Sequence, residues 1–127
     1  MINENLHEGK LFDLSLLEIM DDNEYSAELL TLFLKNTPVL MNELRKTCTT
    51  NDYDAIYKIA HKLKSSAGLF YANNLLDALT KIEGCAKAGI NKDFRLLAAE
   101  ANEEYKLIEA PLKEHLKIIQ KELNIPA

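Results

Sequence analysis

His61 is the residue of this chain whose type and neighbours most suggest chemistry. An imidazole offers a nucleophilic nitrogen near neutral pH, and ammonium groups lie three residues before and after it, at Lys58 and Lys64. Beyond the histidine, Ser65 and Gly68 add almost no bulk. A phosphoryl group requires a nucleophile, cations beside its oxygens and room for the partner that carries it. These residues therefore fit a phosphoryl-transfer site, and they equally fit an ordinary solvated helix face.

The helix that carries His61 is predicted from about Asp52 to Phe70. At about 100° per residue, its apolar residues form a stripe on the side opposite His61, so the imidazole should face solvent. Gly68 would cost about 1 kcal/mol relative to alanine inside a helix. Either an approaching partner or a close contact between two helices would explain it. The buried stripe is predicted to contain Ile56, Ile59, Leu63, Ala67 and Phe70.

The remaining elements are also predicted to be helical, because glycine and proline are scarce and no long apolar–polar alternation is present. Pro38 should kink the second helix, with a break at Asn36–Thr37 as the alternative, and Pro111 should kink the last helix or split off its final turns. The predicted helices are a short one at Asp13–Met20 and four long ones at about Glu24–Thr47, Asp52–Phe70, Asn74–Ala88 and Asn91–Leu123.

Short connections between these helices favour antiparallel neighbours. The expected fold is all-α, an up-down antiparallel four-helix bundle with a short additional N-terminal helix. We expect a polar N-terminal tail at residues 1–10 and one bundle domain at residues 11–123. Asn51 with Asp54 resembles a capping box at the start of the helix that carries the histidine, and Gly89 is a suitable residue to end the next one.

Composition excludes several classes of protein. The chain has 127 residues and a formal net charge of −5, which argues against nucleic-acid binding and against binding to anionic membranes. No stretch approaches the ~20 apolar residues of a membrane span, and the first residues show no secretory signal. Cys48 and Cys85 have no CxxC spacing, so we expect free thiols in a reducing cytoplasm.

Other candidate sites have simpler explanations. His7 and His115 share no local motif with His61, so we expect no metal centre. Asp21–Asp22 is explained by helix capping. Ser65–Ser66 beside the histidine could suggest a hydrolase, but no oxyanion loop accompanies the pair.

The segment Ala60–Gly68, AHKLKSSAG, closely resembles the signature of histidine-containing phosphotransfer (HPt) domains of two-component phosphorelays. That signature has a histidine, an apolar residue at +2, a lysine at +3 and small residues from +4 to +7. The resemblance covers roughly residues 11–120, including a preceding helix with Pro38 and a following helix with Leu79, Glu83 and Cys85. Ser65 is a departure, because the family most often has glycine there.

The resemblance implies a phosphoryl carrier and not a stand-alone enzyme. His61 would accept a phosphoryl group, commonly on Nε2, from an aspartate of a response-regulator receiver domain and pass it to a second receiver. Lys64 would neutralise phosphoryl oxygens, and Lys58, Ser65 and Gly68 would form the docking surface.

The same resemblance implies no cofactor on this chain, with Mg²⁺ supplied by the receiver, a hybrid sensor histidine kinase upstream, and a monomer. From the residues alone, two other readings stay open. One is a helical adaptor that docks a partner through the same face without being phosphorylated, and the other is a cofactor-binding bundle.

Overall fold

The structure, a computed structural model, describes residues 12–15 and 21–123, and within these ranges the chain contains long helices and no strand. The all-helical prediction is confirmed. The predicted short helix at Asp13–Met20 falls mostly outside the described residues, as does the tail at residues 1–10, and both stay predictions. The helices are α1 at Asn23–Thr47, α2 at Tyr53–Leu69, α3 at Asn73–Lys87 and α4 at Phe94–Glu122.

Aspartate side chains cap three of these helices at their N-termini. Asp22 accepts a hydrogen bond from the Tyr25 amide at 3.0 Å, and Asp93 caps α4 in the same way. At the start of α2 the cap is Asp52, which accepts from the Ala55 amide at 3.1 Å. The predicted cap at Asn51 was therefore one residue early, since the aspartate directly before the first helical residue is the one that reaches the free amide.

Both internal prolines lie within continuous helices. The predicted alternative of a break at Asn36–Thr37 is wrong, and α4 likewise runs through Pro111 without losing its last turns. A proline removes one backbone hydrogen bond. Because α1 buries apolar side chains on both sides of Pro38, at Phe33 and Met41, packing holds the two halves in one helix.

The four helices pack as a ring in which α1 contacts α2, α2 contacts α3, α3 contacts α4 and α4 contacts α1. The start of α1 meets the end of α4, where Asn23 donates a hydrogen bond to Glu122 at 3.1 Å. The starts of α2 and α4 meet through the rings of Tyr53 and Phe94, whose centroids are 5.5 Å apart. Helices α1 and α4 are thus antiparallel and α2 and α4 parallel, as an up-down bundle requires.

The core lies between the four helices and is aliphatic with an aromatic centre. The Phe33 ring lies 4.7 Å from that of Phe70 and 5.9 Å from that of Tyr105, measured between centroids. Both cysteines are free thiols, and burial raises the pKa of Cys48 to about 11. Fully buried aliphatic residues come from all four helices, among them Leu30, Leu44, Ile56, Leu79, Ile82, Ala98 and Leu112.

Candidate functional site

His61 lies on the outer face of α2, and its side chain is 57% exposed. The residues that α2 buries, including Ile56, Ala60 and Leu63, lie on the opposite side of the helix. The structure therefore places the imidazole where the helical periodicity predicts it. A side chain in this position is accessible to a partner and is not required by the core.

Glu83 on α3 contacts both His61 and Lys64. Its Oε2 lies 2.5 Å from His61 Nδ1, and its Oε1 accepts a hydrogen bond from Lys64 Nζ at 2.8 Å. The Glu83 side chain is only 12% exposed, against 33% for Lys64. One largely buried carboxylate thus joins the imidazole and the ammonium group, with one oxygen for each.

This contact determines which imidazole nitrogen is free. The hydrogen bond from Lys64 lowers the pKa of the Glu83 carboxyl, partial burial opposes that effect, and the hydrogen bond with His61 lowers the pKa further. Near neutral pH the carboxylate is ionised and can only accept hydrogen bonds. In the neutral imidazole, Nδ1 must then carry the proton, and Nε2 keeps its lone pair.

Glu83 is a residue of the site that the sequence alone did not identify, and the pairing of two helices brings it there. Helices α2 and α3 form a hairpin joined by residues 70–72. Residues that lie a similar number of positions before and after such a connection come side by side in the hairpin. His61 lies about as many residues before Tyr71 as Glu83 lies after it. That symmetry is a signal in the sequence that could have placed the glutamate beside the histidine.

Tyr57 lies one helical turn before His61 and contacts its ring. The two ring centroids are 5.8 Å apart and the planes differ by only 17°, so the rings are stacked. The Lys87 ammonium group lies over the Tyr57 ring, 6.0 Å from its centroid. A cation in this position is attracted to the aromatic face by about 0.5–1 kcal/mol at exposed sites.

The two predicted cations have different partners. Lys58 pairs with Asp54 at 2.9 Å, with both side chains more than two-thirds exposed, and the hydrogen bond to Asp54 raises the pKa of Lys58. Within the described residues, only Lys64 of the two joins the contacts around His61. Lys58 therefore lies outside the contacts around His61, and its charge is paired with that of Asp54.

Ser65 and Gly68 add little side-chain bulk to the helix surface on the C-terminal side of His61, which we call the low surface. The Ser65 hydroxyl donates to the His61 backbone carbonyl at 3.1 Å, so it lies close to its own helix. A Cβ placed on Gly68 would meet no atom within 4 Å. The explanation of Gly68 as a close contact between two helices is therefore wrong for the described residues, and the space above it is open.

Substitution of Gly68 is expected to stabilise the fold. Gly68→Ala should raise the free energy of unfolding by up to about 1 kcal/mol, because alanine is the better helix former and its Cβ would enter open space. Gly68→Gln should also fold normally but weaken transfer from a receiver, since the longer side chain would project beside His61. Thermal melts and transfer assays on both variants test this, and a destabilised Gly68→Gln protein would remove Gly68 from the site.

Loss of Lys64 is expected to affect both transfer and stability. An exposed lysine changes stability by less than about 0.5 kcal/mol, but removing Lys64 deprives a largely buried carboxylate of its cation. Lys64→Ala should lower the free energy of unfolding by about 0.5–1 kcal/mol and clearly slow phosphoryl transfer. Lys62→Ala, at an exposed neighbouring lysine, is the matched control in denaturation and transfer assays. Equal rates for the two variants would contradict a role for Lys64.

The described residues contain neither a metal-binding cluster nor a helix that could span a membrane. No group of three or more His, Cys, Asp or Glu side chains there could hold a metal ion. His115 lines a cleft with Ser26 and Ile118 where the start of α1 meets the end of α4, and His7 is outside the described residues. None of the described helices has the length and apolar character needed to cross a membrane.

Comparison with known families agrees with this geometry. The family model of the Hpt domain matches residues 28–121, a range that includes His61, Lys64 and Glu83. Searches of curated proteins and of solved structures gave no match. With most of the chain matched and an exposed histidine on the second helix of a four-helix bundle, the chain belongs to the Hpt domain family, the phosphocarrier modules of two-component signalling.

Proposed function

We propose that this protein is a phosphorelay intermediate that takes a phosphoryl group from an aspartate of one receiver domain and delivers it to an aspartate of another. The acceptor atom is His61 Nε2. The observation that carries this proposal is the Glu83 carboxylate on His61 Nδ1. It fixes the proton on one nitrogen and leaves the other as a nucleophile on an exposed helix face.

The first transfer requires no base on this chain. The lone pair of His61 Nε2 attacks the phosphorus, the phosphorus–oxygen bond to the aspartate breaks, and the aspartate leaves as a carboxylate with the bonding electrons. Nδ1 keeps its proton, so the phosphorylated imidazole gains positive charge. The ionised Glu83, in contact with Nδ1, stabilises that charge.

The second transfer reverses these changes. A carboxylate oxygen of the next receiver attacks the phosphorus, the phosphorus–nitrogen bond breaks, and its electrons return to Nε2. In this proposal the receivers supply Mg²⁺ and this chain supplies no cofactor. A hybrid sensor histidine kinase is the proposed source of the first phosphorylated receiver.

The surface around His61 suits a partner that must approach closely. Ser65 and Gly68 add little bulk on the C-terminal side of the histidine, and Lys64 offers an ammonium group to an incoming phosphoryl group. Lys58, paired with Asp54, is part of the proposed docking surface. Lys64 also has a second role, because its hydrogen bond holds one Glu83 oxygen in place and lowers the pKa of that carboxyl.

Incubation with a phosphorylated receiver tests the proposal. The chain should acquire phosphate that is labile in acid and stable in base, as expected of a phosphorus–nitrogen bond, and should lose it to a second receiver. An adaptor that docks through the same face would bind the receiver and remain unlabelled. A bound receiver with no label on this chain would therefore overturn the proposed function.

A further inference from the structure

We propose that Tyr57 is a positioning residue for His61, holding the imidazole plane so that Nε2 is presented toward the low surface at Ser65 and Gly68. This inference rests on the proposed function. It concerns the direction in which His61 Nε2 faces, which the contact with Glu83 alone does not determine.

A single hydrogen bond leaves the imidazole free to turn. With only Nδ1 held by Glu83, the ring plane can still tilt through small changes in χ1 and χ2, because histidine χ2 has broad wells. A second contact on the face of the ring removes that freedom. The Tyr57 ring, nearly parallel at 17° and 5.8 Å away, supplies this contact.

Tyr57 is itself held in place by two helices. Tyr57 belongs to α2, and its side chain is partly buried and packs against the core. Lys87, at the end of α3, places its ammonium group over the ring. Because Glu83 also lies on α3, the same helix supports both contacts to His61.

The surroundings of His61 are consequently asymmetric. Four residues before it, an aromatic ring is stacked beside the imidazole, whereas four residues after it there is only a serine whose hydroxyl donates back to the helix backbone. Beyond that serine, the space above Gly68 is open for at least 4 Å from an added Cβ. A receiver therefore reaches Nε2 from the C-terminal half of α2.

Two substitutions at Tyr57 distinguish a role of its ring face from a role of its hydroxyl group. With phosphoramidate as a small donor, Nε2 forms the new bond to phosphorus, the donor's phosphorus–nitrogen bond breaks, and ammonia leaves after taking up a proton from water. Tyr57→Phe keeps the ring and should be phosphorylated at the wild-type rate. Tyr57→Leu should react about three- to ten-fold more slowly, a range that corresponds to the usual strength of a ring–ring contact.

A spectroscopic measurement shows whether the imidazole has lost its fixed orientation. The Nδ1 proton of His61 should give a resolved resonance in the wild type and in Tyr57→Phe, and should exchange rapidly with water in Tyr57→Leu. Thermal melts identify the temperature range in which each variant is folded. Lys87→Met, an exposed change that loosens Tyr57 without removing it, should give a smaller loss of rate than Tyr57→Leu.

The outcomes distinguish this inference from the proposed function. If Tyr57→Leu matches the wild type in rate and in proton exchange, Tyr57 does not position His61. If Tyr57→Phe is as slow as Tyr57→Leu, the hydroxyl acts instead of the ring face and the inference is overturned. If the wild-type chain accepts no phosphate from a phosphorylated receiver, the proposed function has failed.

Discussion

Replacing His61 with glutamine is expected to abolish phosphoryl labelling of the chain and leave the fold intact. Glutamine has no nucleophilic nitrogen, and within the described residues no other histidine has both a carboxylate on one ring nitrogen and an exposed face. The side chain is 57% exposed and the glutamine amide can still donate a hydrogen bond to Glu83, so the free energy of unfolding should change by no more than about 1 kcal/mol. Labelling by a phosphorylated receiver and far-ultraviolet circular dichroism measure the two effects.

His115→Gln is the matched control for this experiment. His115 lies on α4 in the cleft beside Ser26, away from the α2–α3 face, so this variant should be labelled as well as the wild type. Labelling that persists in His61→Gln would show that another residue accepts the phosphoryl group, and the site described above would then be wrong.

Removal of the Glu83 carboxylate is expected to have the second largest effect. Glu83→Ala should slow phosphorylation of His61 by about ten- to a hundred-fold, the range found when a carboxylate that orients a histidine is lost at metal sites. The variant loses the group that holds the proton on Nδ1 and stabilises the charged phosphorylated imidazole. Glu83→Gln should lose less, because its amide oxygen can still accept from Nδ1. Single-turnover labelling by a phosphorylated receiver measures both rates.

Two controls separate this effect from a loss of stability. Asp77→Ala removes an exposed carboxylate from the same helix and should leave the rate unchanged. Denaturation of each variant shows whether it is folded under the assay conditions. Wild-type rates in a folded Glu83→Ala protein would mean that the carboxylate does not prepare the nucleophile.

The lowered pKa of Glu83 also has a consequence for stability in acid. A carboxyl with a pKa below its ordinary value of 4.5 stabilises the fold above that pH, and this contribution is lost as the pH falls through the folded-state pKa. The wild type should therefore lose more stability on acidification than Glu83→Gln, which has no carboxyl at this position.

The sequence is sufficient to predict α2 and its faces, and insufficient to predict the contacts between helices. Periodicity within one helix places His61 opposite Ile56 and Leu63, because that relation depends only on the helical repeat. Glu83 is different, because its position beside His61 depends on how far α2 and α3 slide and turn against each other. Core packing sets that register, and no pattern within either helix records it.

Lys64 illustrates the same limit. Its spacing from His61 predicts a cation near the phosphoryl group, and the structure shows that its first partner is the Glu83 carboxylate. At Pro38 the local sequence favours a break in the helix. The helix stays continuous because α1 buries apolar side chains both before and after the proline. In both cases the decisive interaction comes from a neighbouring helix.

The short connection between α2 and α3 has a consequence for how the site assembles. His61 and Glu83 are separated by 22 residues, whereas the contact between Asn23 and Glu122 joins residues separated by 99. Closing the shorter loop costs about 1.3 kcal/mol less chain entropy, because the cost grows with the logarithm of loop length. The acceptor geometry therefore belongs to a local hairpin that can form early in folding, and fraying where α1 meets α4 can leave it in place.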